Sequence, residues 1–322
     1  MNEKIIELFE RHPNEFLSGE QLSEKLNCSR TAIWKHIEAL RQQGYRFEAV
    51  SRKGYRLIAK PDRLDVGRLS ASLSTKAMGR TIRYIDEADS TQNVLHRLAE
   101  EGAEEGTLVI AERQTAGRGR MGRGWHSPKG KGIWMSLLLR PRVPLHFTPQ
   151  LTLLAAVALC RAIRGATNVD AGIKWPNDLL ANGKKISGIL LESKAEDERL
   201  KYIVAGIGIS ANLEPDDYPE ELQDKATSLF IESGRPVDRA ALIAAFLHEF
   251  EVLYSLFHEQ GFAPVRMMWE ALSVSLHRTV RCQMPNGYVE GVAESIDDSG
   301  ALTVRVASGE RVKVYSGDVE LR

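Results

Sequence analysis

The sequence holds only three cysteines in 322 residues, Cys28, Cys160 and Cys282, far apart and with no CxxC pair. They offer no disulfide framework and no zinc-finger spacing, which points to a reduced compartment. Net charge is also missing, since 43 basic residues meet 43 acidic ones. That excludes a globally basic nucleic-acid coat and an acidic disordered tail, although a zero sum can hide opposed blocks. The longest apolar run, Leu151–Cys160, is about half of what a bilayer span needs. The opening MNEKIIELFERHP carries acids every few residues, unlike a secretory leader. There is no internal repeat, no histidine ligand cluster and no GxxxxGK(S/T) phosphate loop, the last excluding a P-loop ATPase. The expectation is a soluble, cytoplasmic protein with no membrane partner. Its composition is that of a globular protein, 43% hydrophobic and 27% charged. At roughly 100–200 residues per domain, the length predicts two or three domains.

The first sixty residues read as three helices and a hairpin. Ile5, Ile6, Leu8 and Phe9 mark a first amphipathic helix that ends near His12-Pro13. Ser18-Gly19-Glu20-Gln21 is a capping-box pattern opening a second helix with Leu22 and Leu26. Asn27-Cys28 makes a turn, and Ser29 caps a third helix whose Ile33, Ile37 and Leu40 face a core. Gly44 is expected to end it. Arg46–Val50 and Tyr55–Ile58 then read as strands joined through Ser51-Arg52-Lys53-Gly54.

This order is the winged helix-turn-helix pattern, in which one helix turns a polar face to a DNA groove. Its outward positions include Ser29, Arg30, Thr31, Trp34 and Lys35, and Arg52 and Lys53 sit on the wing. Residues 1–27 carry a net charge of −3 and residues 28–60 a net charge of +6. The positive excess therefore falls where phosphates would be met. The alternative is a solvated face on a small helical subdomain that docks a protein. Pro61-Asp62-Arg63-Leu64 reads as the exit, giving boundaries of 1–63, 64–272 and 273–322.

The middle region alternates strand-like and helix-like segments and predicts a mixed α/β domain. Strands are expected at Thr81–Ile85, Thr107–Ala111, Ile133–Leu139, Gly172–Trp175, Ile186–Leu191 and Tyr202–Ile209. Helices are expected at Gln92–Glu100, Pro149–Arg164 and Arg239–Phe257. The last fifty residues give five short strands with turns at Pro285-Asn286-Gly287, Asp298-Ser299-Gly300 and Ser308-Gly309, a spacing that suggests a small β-barrel.

Five segments carry chemistry. From Arg113 to Leu139 there are six bases, Arg113 included, and no acid, with six glycines interleaved in QTAGRGRMGRGWHSPKGKG. Glycines let backbone N–H groups approach an anion, and arginines supply forked donors. Such a loop fits phosphate binding, or else an RGG-like nucleic-acid segment. Lys174-Trp175-Pro176-Asn177-Asp178 brings a lysine, an amide and a carboxylate to one strand end, where lysine can neutralise phosphate and aspartate can hold Mg²⁺. Read alone, it is equally a Pro-Asn-Asp turn. Asn182-Gly183 signals a hairpin, after which Lys185 starts the strand KISGILLE. The glycines of Ala205-Gly206-Ile207-Gly208-Ile209-Ser210-Ala211-Asn212 permit close approach of a ligand or strand. Asp89-Ser90-Thr91-Gln92-Asn93 can cap a helix with hydroxyl and amide groups outward.

Together, the basic loop, KWPND and KISGILLE in that order resemble the biotin protein ligases. The chain is most similar to the bifunctional bacterial ligases that also repress the biotin operon, and the resemblance runs over essentially the whole chain. It implies a central domain similar to class II aminoacyl-tRNA synthetases and an SH3-like C-terminal barrel. It also implies a two-step reaction. Biotin's carboxylate attacks the α-phosphate of MgATP, and the resulting biotinyl-5′-AMP is transferred to a lysine of the biotin carboxyl carrier protein of acetyl-CoA carboxylase. The same adenylate would act as co-repressor of biotin synthesis and transport genes, on a homodimer bound to operator DNA.

The resemblance implies residue roles as well. Ser90, Thr91, Gln92 and Gln114 fall where biotin's rings are held. Arg118, Gly119 and Arg120 match the segment that closes on the biotin tail and acyl phosphate. Arg123 and Trp125 lie where the loop meets the adenylate, with Trp125 suited to stacking on adenine. Lys185 matches the lysine near the carboxylate and phosphate, and Lys174, Asn177 and Asp178 match the phosphate and Mg²⁺ end. Asn212 keeps an adenylate-binding role. Ser210 is a departure, because the family's pattern has asparagine there. The competing readings are a ligand-sensing transcription factor without ligase activity and a lipoate-type protein ligase.

Overall fold

The computed structural model describes all residues except 43, 44, 60–62, 198, 285 and 286, and the side chains of residues 3, 42 and 59. The expected helix stop at Gly44, the exit at Pro61-Asp62 and most of the Pro285-Asn286-Gly287 turn lie outside the described residues. The chain forms two compact units, Met1–Arg63 and Leu64–Arg322.

The first unit contains α1 (Asn2–Arg11), α2 (Gly19–Leu26), α3 (Arg30–Gln42) and the hairpin β1 (Arg46–Val50) and β2 (Gly54–Ala59). The capping box forms at α2: Gln21 N donates to Ser18 Oγ at 3.1 Å, and Ser18 N donates to Gln21 Oε1 at 2.8 Å. Asn27 takes the left-handed conformation at the end of α2, and Ser29 Oγ accepts from Ala32 N at 3.2 Å to start α3. Ile5, Phe9, Leu17, Leu22, Ile33, Ile37, Leu40 and Phe47 make the core. Gly54, at φ +104°, lies so close to Leu17 that a Cβ there would meet the Leu17 carbonyl at 2.1 Å. The hairpin is thereby locked beside the start of α2.

The second unit begins with α4 (Val66–Ser72), β3 (Ile82–Ala88), α5 (Thr91–Glu100), β4 (Leu108–Gln114), β5 (Ile133–Leu139) and α6 (Thr148–Thr167). It continues with β6 (Gly172–Lys174), β7 (Asp178–Ala181), β8 (Lys184–Glu196), β9 (Arg199–Ile209), α7 (Glu220–Gln223) and α8 (Leu229–Ser233). Two further helices, α9 (Arg239–Gln260) and α10 (Ala263–Leu272), precede β10 (Thr279–Met284), β11 (Gly287–Ile296), β12 (Leu302–Val306), β13 (Arg311–Val314) and β14 (Asp318–Leu321). The central sheet has the order β3-β4-β5-β9-β8-β7-β6, with only β3 and β4 parallel. Strand alternation splits its side chains between two faces. Leu108, Ile110, Leu137, Ile203, Ala205 and Ile207 face the main core with α6 and α9. Val109, Leu138, Tyr202 and Val204 face α5.

The segments 145–167 and Arg239–Gln260 are long and apolar enough to cross a membrane by length and composition. The longer of the expected apolar stretches thus exceeds the ten-residue run read from the sequence. Both are core helices here, α6 packing directly on α9.

Five elements were not foreseen: α4, β7, α7, α8 and α10. α4 and α10 are short amphipathic covers over the core. β7 begins on the Asp178 that read as part of a turn, because pairing with β6 and β8 absorbs it into the sheet. The C-terminal strands make one antiparallel sheet, in the order β13-β12-β11-β10-β14.

Candidate functional site

The register of the central sheet lines up one row of residues across six strands. Lys174 pairs with Asp178, Asp178 with Gly188, Gly188 with Gly208, Gly208 with Trp134, and Trp134 with Ala111. This row lies on the α5 face. Its two central glycines leave a trough, and the Trp125 indole lies in it: a Cβ on Gly208 would meet Trp125 Nε1 at 2.4 Å, and one on Gly188 would meet the ring at 3.0 Å. In the neighbouring row, Gly206 admits the Gln92 side chain in the same way, at 2.6 Å. The glycines expected to permit close approach therefore do so for two side chains of the site.

Over this face is a cavity of about 690 Å³, within the usual range for small-ligand sites. Among the described residues its lining includes six cations, Arg118, Arg120, Arg123, Lys174, Lys185 and Lys225, against three aspartates, Asp178, Asp224 and Asp318. That excess suits a polyanion. Lys185 Nζ lies 2.7 Å from Asp178 Oδ1 and 5.1 Å from the centre of the Trp125 ring. Burial lowers the pKa of Lys174 and of Arg120, partly offset in each by Asp178 and reinforced by neighbouring cations. An incoming anion would relieve that crowding.

The basic loop is tied down along its length. Arg118 makes a two-pronged pair with Glu192, at 3.0 and 2.7 Å, and donates to Asn93 Oδ1 at 2.6 Å. Glu192 also accepts from Gln92 Nε2 at 2.9 Å and contacts His96 Nε2 at 3.2 Å. Its pKa is lowered, the Arg118 and His96 contacts outweighing burial. Arg120 donates to Asn177 Oδ1 and to the Gly317 carbonyl, both at 3.2 Å, and Arg123 pairs with Asp318. Gly119 N donates to the Arg123 carbonyl at 2.7 Å, and Met121 adopts φ +56° at the loop's exposed tip.

Thr91, Gln92, Gln114, Arg118, Gly119, Arg120, Arg123, Trp125, Lys174, Asn177, Asp178 and Lys185 all line the cavity. Gln114 Oε1 accepts from Thr91 N at 2.9 Å, and Thr91 Oγ1 meets Ser136 Oγ at 2.8 Å. Asn177 Nδ2 donates to the Ile189 carbonyl at 2.7 Å, leaving its Oδ1 toward Arg120.

Two expected residues do not line the cavity. Ser90 is buried as the N-cap of α5, its Oγ accepting from Gln92 N at 3.3 Å. Asn212 clamps the backbone of Val237, donating to its carbonyl at 3.0 Å and accepting from its N–H at 2.7 Å. Its amide holds the chain that leads to α9. Sequence reasoning passed over Glu192, Tyr218 and Asp318. Glu192 closes the quoted strand KISGILLE, and an acid ending an apolar strand was its signal. Tyr218 and Asp318 had none.

In the first unit, Ser29, Arg30, Thr31, Trp34 and Lys35 are all exposed, as are Arg52 and Lys53 at the hairpin turn. Trp34 is 53% exposed, unusual for so large an apolar side chain. The two acids within 28–60 are already spent: Glu38 pairs with Arg41 at 2.6 Å and Glu48 with Arg56 at 3.1 Å. Arg30 is held by Glu20 of α2 at 2.6 Å.

Three family models match the chain: the biotin/lipoate A/B protein ligase family over residues 84–210, an HTH domain over 2–56, and the biotin protein ligase C-terminal domain over 276–322. The bifunctional ligase/repressor BirA of Bacillus subtilis is 49% identical over 321 residues, covering 100% of this chain and 98% of that protein. The bifunctional ligase/repressor BirA of Escherichia coli is 33% identical, covering 96% and 94%. Among solved structures, the biotin protein ligase from Aquifex aeolicus in complex with biotin and ATP matches with a TM-score of 0.66 and 30% identity, over 76% of this chain and 99% of that one.

Proposed function

The chain belongs to the biotin protein ligase family, in its bifunctional form that is both a ligase and a DNA-binding repressor, and from that premise we propose how its residues divide the work. Residues 1–63 are the DNA-binding domain with the hairpin as its wing. Residues 64–272 form the catalytic domain, similar to class II aminoacyl-tRNA synthetases, and residues 273–322 a small SH3-like barrel. The observation that carries the ligase assignment is the single cavity joining the arginine-glycine loop to Lys174, Asp178 and Lys185.

Biotin lies toward Thr91, Gln92 and Gln114, with Ser90 shaping that wall through the α5 cap. Its carboxylate meets ATP between Arg118, Arg120 and Lys185. These cations offset the repulsion of two anions and stabilise charge developing at the α-phosphate. Arg123, Trp125 and Asn177 hold the nucleotide. Among the described residues no cluster of three metal-ligating side chains exists. Mg²⁺ would be carried by the ATP phosphates, and Asp178 would supply a carboxylate to it, neutralising phosphate charge. In the second step the acceptor lysine's amine attacks the acyl carbon and AMP leaves. Its acceptor is the biotin carboxyl carrier protein of acetyl-CoA carboxylase, in the cytoplasm. Pyrophosphate release from ATP and biotin, followed by labelling of that carrier, tests the reading. Equal turnover of lipoate, or no turnover at all, would overturn it.

Arg120→Gly removes the guanidinium that bridges the loop to Asn177 and Gly317. We expect activated biotin to escape and label bystander lysines several-fold more than wild type does. Retention of the adenylate equal to wild type, read as its dissociation rate, would remove Arg120 from this role.

On DNA, Lys35→Ala should weaken operator binding and lower the salt slope by about 1. Arg30→Ala should do less, since Glu20 already holds that guanidinium and must be displaced. Ligation should be unchanged in both, and its loss would place the domain boundary elsewhere. We assign operator binding to a homodimer of the adenylate-bound form. The same titration with and without biotin plus ATP reads whether the adenylate is the co-repressor.

A further inference from the structure

One carboxylate ties two walls of the cavity together without lining it. Glu192, on β8, accepts from Arg118 of the basic loop through Nε at 3.0 Å and Nη2 at 2.7 Å. It also accepts from Gln92 Nε2 of α5 at 2.9 Å, and His96 Nε2 of the same helix lies 3.2 Å away. Arg118 and Gln92 both line the cavity, and Glu192 is not among its lining residues. Burial opposes the charge of this carboxyl, and the Arg118 and His96 contacts outweigh it.

Each partner is left with a fixed set of atoms to offer. A guanidinium holds its five N–H groups in one plane. Two of those of Arg118 go to Glu192, and a third goes from Nη1 to Asn93 Oδ1 at 2.6 Å. Asn93 is anchored in turn, donating to Asp89 Oδ2 at 2.7 Å. With three donors tied the plane cannot turn, and one N–H on each terminal nitrogen keeps a set direction. Gln92 is constrained by polarity. Its Nε2 donates to Glu192 and to the Leu190 carbonyl, at 2.9 and 3.2 Å. Both of those groups only accept, so the amide cannot flip. It turns its acceptor, Oε1, to the trough over Gly206, where a Cβ would meet it at 2.8 Å.

Resting on the reading that biotin lies toward Thr91, Gln92 and Gln114, we infer that Glu192 is a positioning residue for biotin, acting mainly through Arg118. It fixes the guanidinium plane and the polarity of the Gln92 amide at that end of the cavity. The other cations are held by different partners: Lys185 pairs with Asp178, Arg123 with Asp318, and Arg120 donates to Asn177. None of these contacts involves Glu192, so its effect falls on one substrate and spares the nucleotide. The carboxylate never meets the reacting atoms. Its work is to keep two side chains, from a loop and a helix far apart in sequence, ready in one arrangement before biotin arrives, so that biotin does not bear the cost of ordering them.

The test is steady-state pyrophosphate release by the full chain, with biotin and ATP varied separately. Glu192→Gln keeps the shape and removes the charge, and with the side chain 29% exposed the variant should fold. We expect KM for biotin to rise about 10- to 100-fold, the usual effect of losing a charged hydrogen-bond partner, and KM for ATP to stay within about threefold. Arg118→Ala alone should show the same one-sided rise. In that background Glu192→Gln should add no more than about threefold, because most of its effect runs through the arginine. Glu192→Asp, which keeps the charge, should recover part of the lost affinity for biotin. An equal rise in KM for both substrates, from either single variant, would mark a merely structural role and overturn the inference. So would an unchanged KM for biotin in Glu192→Gln, full additivity of the two substitutions, or an aspartate variant no better than the glutamine one. Wild type that releases no pyrophosphate with biotin would instead overturn the biotin reading beneath it.

Discussion

Lys185→Ala is expected to lower kcat/KM for pyrophosphate release by about 10²- to 10³-fold, the usual effect of removing one preorganised electrostatic partner of the reacting charge. The side chain is placed from three directions. Its ammonium sits 2.7 Å from Asp178, its Nζ lies 5.1 Å from the centre of the Trp125 ring, and its backbone is pinned by hydrogen bonds to Lys225 and Thr227 at 2.9 Å each. Removing it also strips Asp178 of its partner, leaving a carboxylate where the triphosphate must come. The deficit should fall on the chemical step as much as on nucleotide binding, and DNA binding without ligand should be untouched. Pyrophosphate release within tenfold of wild type would show that the lysine only decorates the site.

Glu112→Gln is the substitution expected to damage the fold most. Glu112 is 1% exposed and Arg239 5%, and they pair at 2.9 Å across the main core. The same carboxylate accepts from Leu64 N and from the Tyr84 hydroxyl, each at 2.7 Å, and Arg239 also donates to the Gly132 carbonyl at 3.1 Å. One ion pair thus joins the start of the second unit, the far end of the basic loop and the first turn of α9. Glutamine would set an NH₂ among these donors and leave a guanidinium buried without its counter-charge. The expected loss is about 3–5 kcal/mol. For a unit of this size, that corresponds to a fall in apparent Tm of roughly 10 °C or more, read by calorimetry. Replacing both partners by apolar residues, as in E112L with R239M, should recover part of the loss, because no charge is then stranded. A single variant melting within about 2 °C of wild type would refute the account.

The basic loop was legible because six bases and six glycines without an acid have few structural uses. The helix starts were legible because capping is local chemistry, as Ser18 and Gln21 show. The grip of Asn212 on Val237 was not legible because it depends on a segment 25 residues on. Glu192 was quoted without a role because its partners, Arg118 on the loop and Gln92 and His96 on α5, lie more than 70 positions away in the chain. The tie of Arg120 and Arg123 to residues 317 and 318 joins the loop to the C-terminal sheet across almost 200 positions, beyond any local pattern.

Read by itself, the sequence determined what depends on neighbours along the chain. That covers the three helices and hairpin of the first unit, the opposed charge blocks hidden in a net of zero, the glycine positions and the order of the catalytic motifs. The tertiary structure alone decided what depends on register and on distant pairing. Strand pairing set Gly188 beside Gly208 and so made the trough that receives Trp125. It also put Lys174 and Asp178 on the same row. Burial set the Tyr218 hydroxyl beside those of Ser210 and Ser228. Local propensity acts over a few residues, whereas register, burial and ion pairing are settled only when strands far apart in sequence meet.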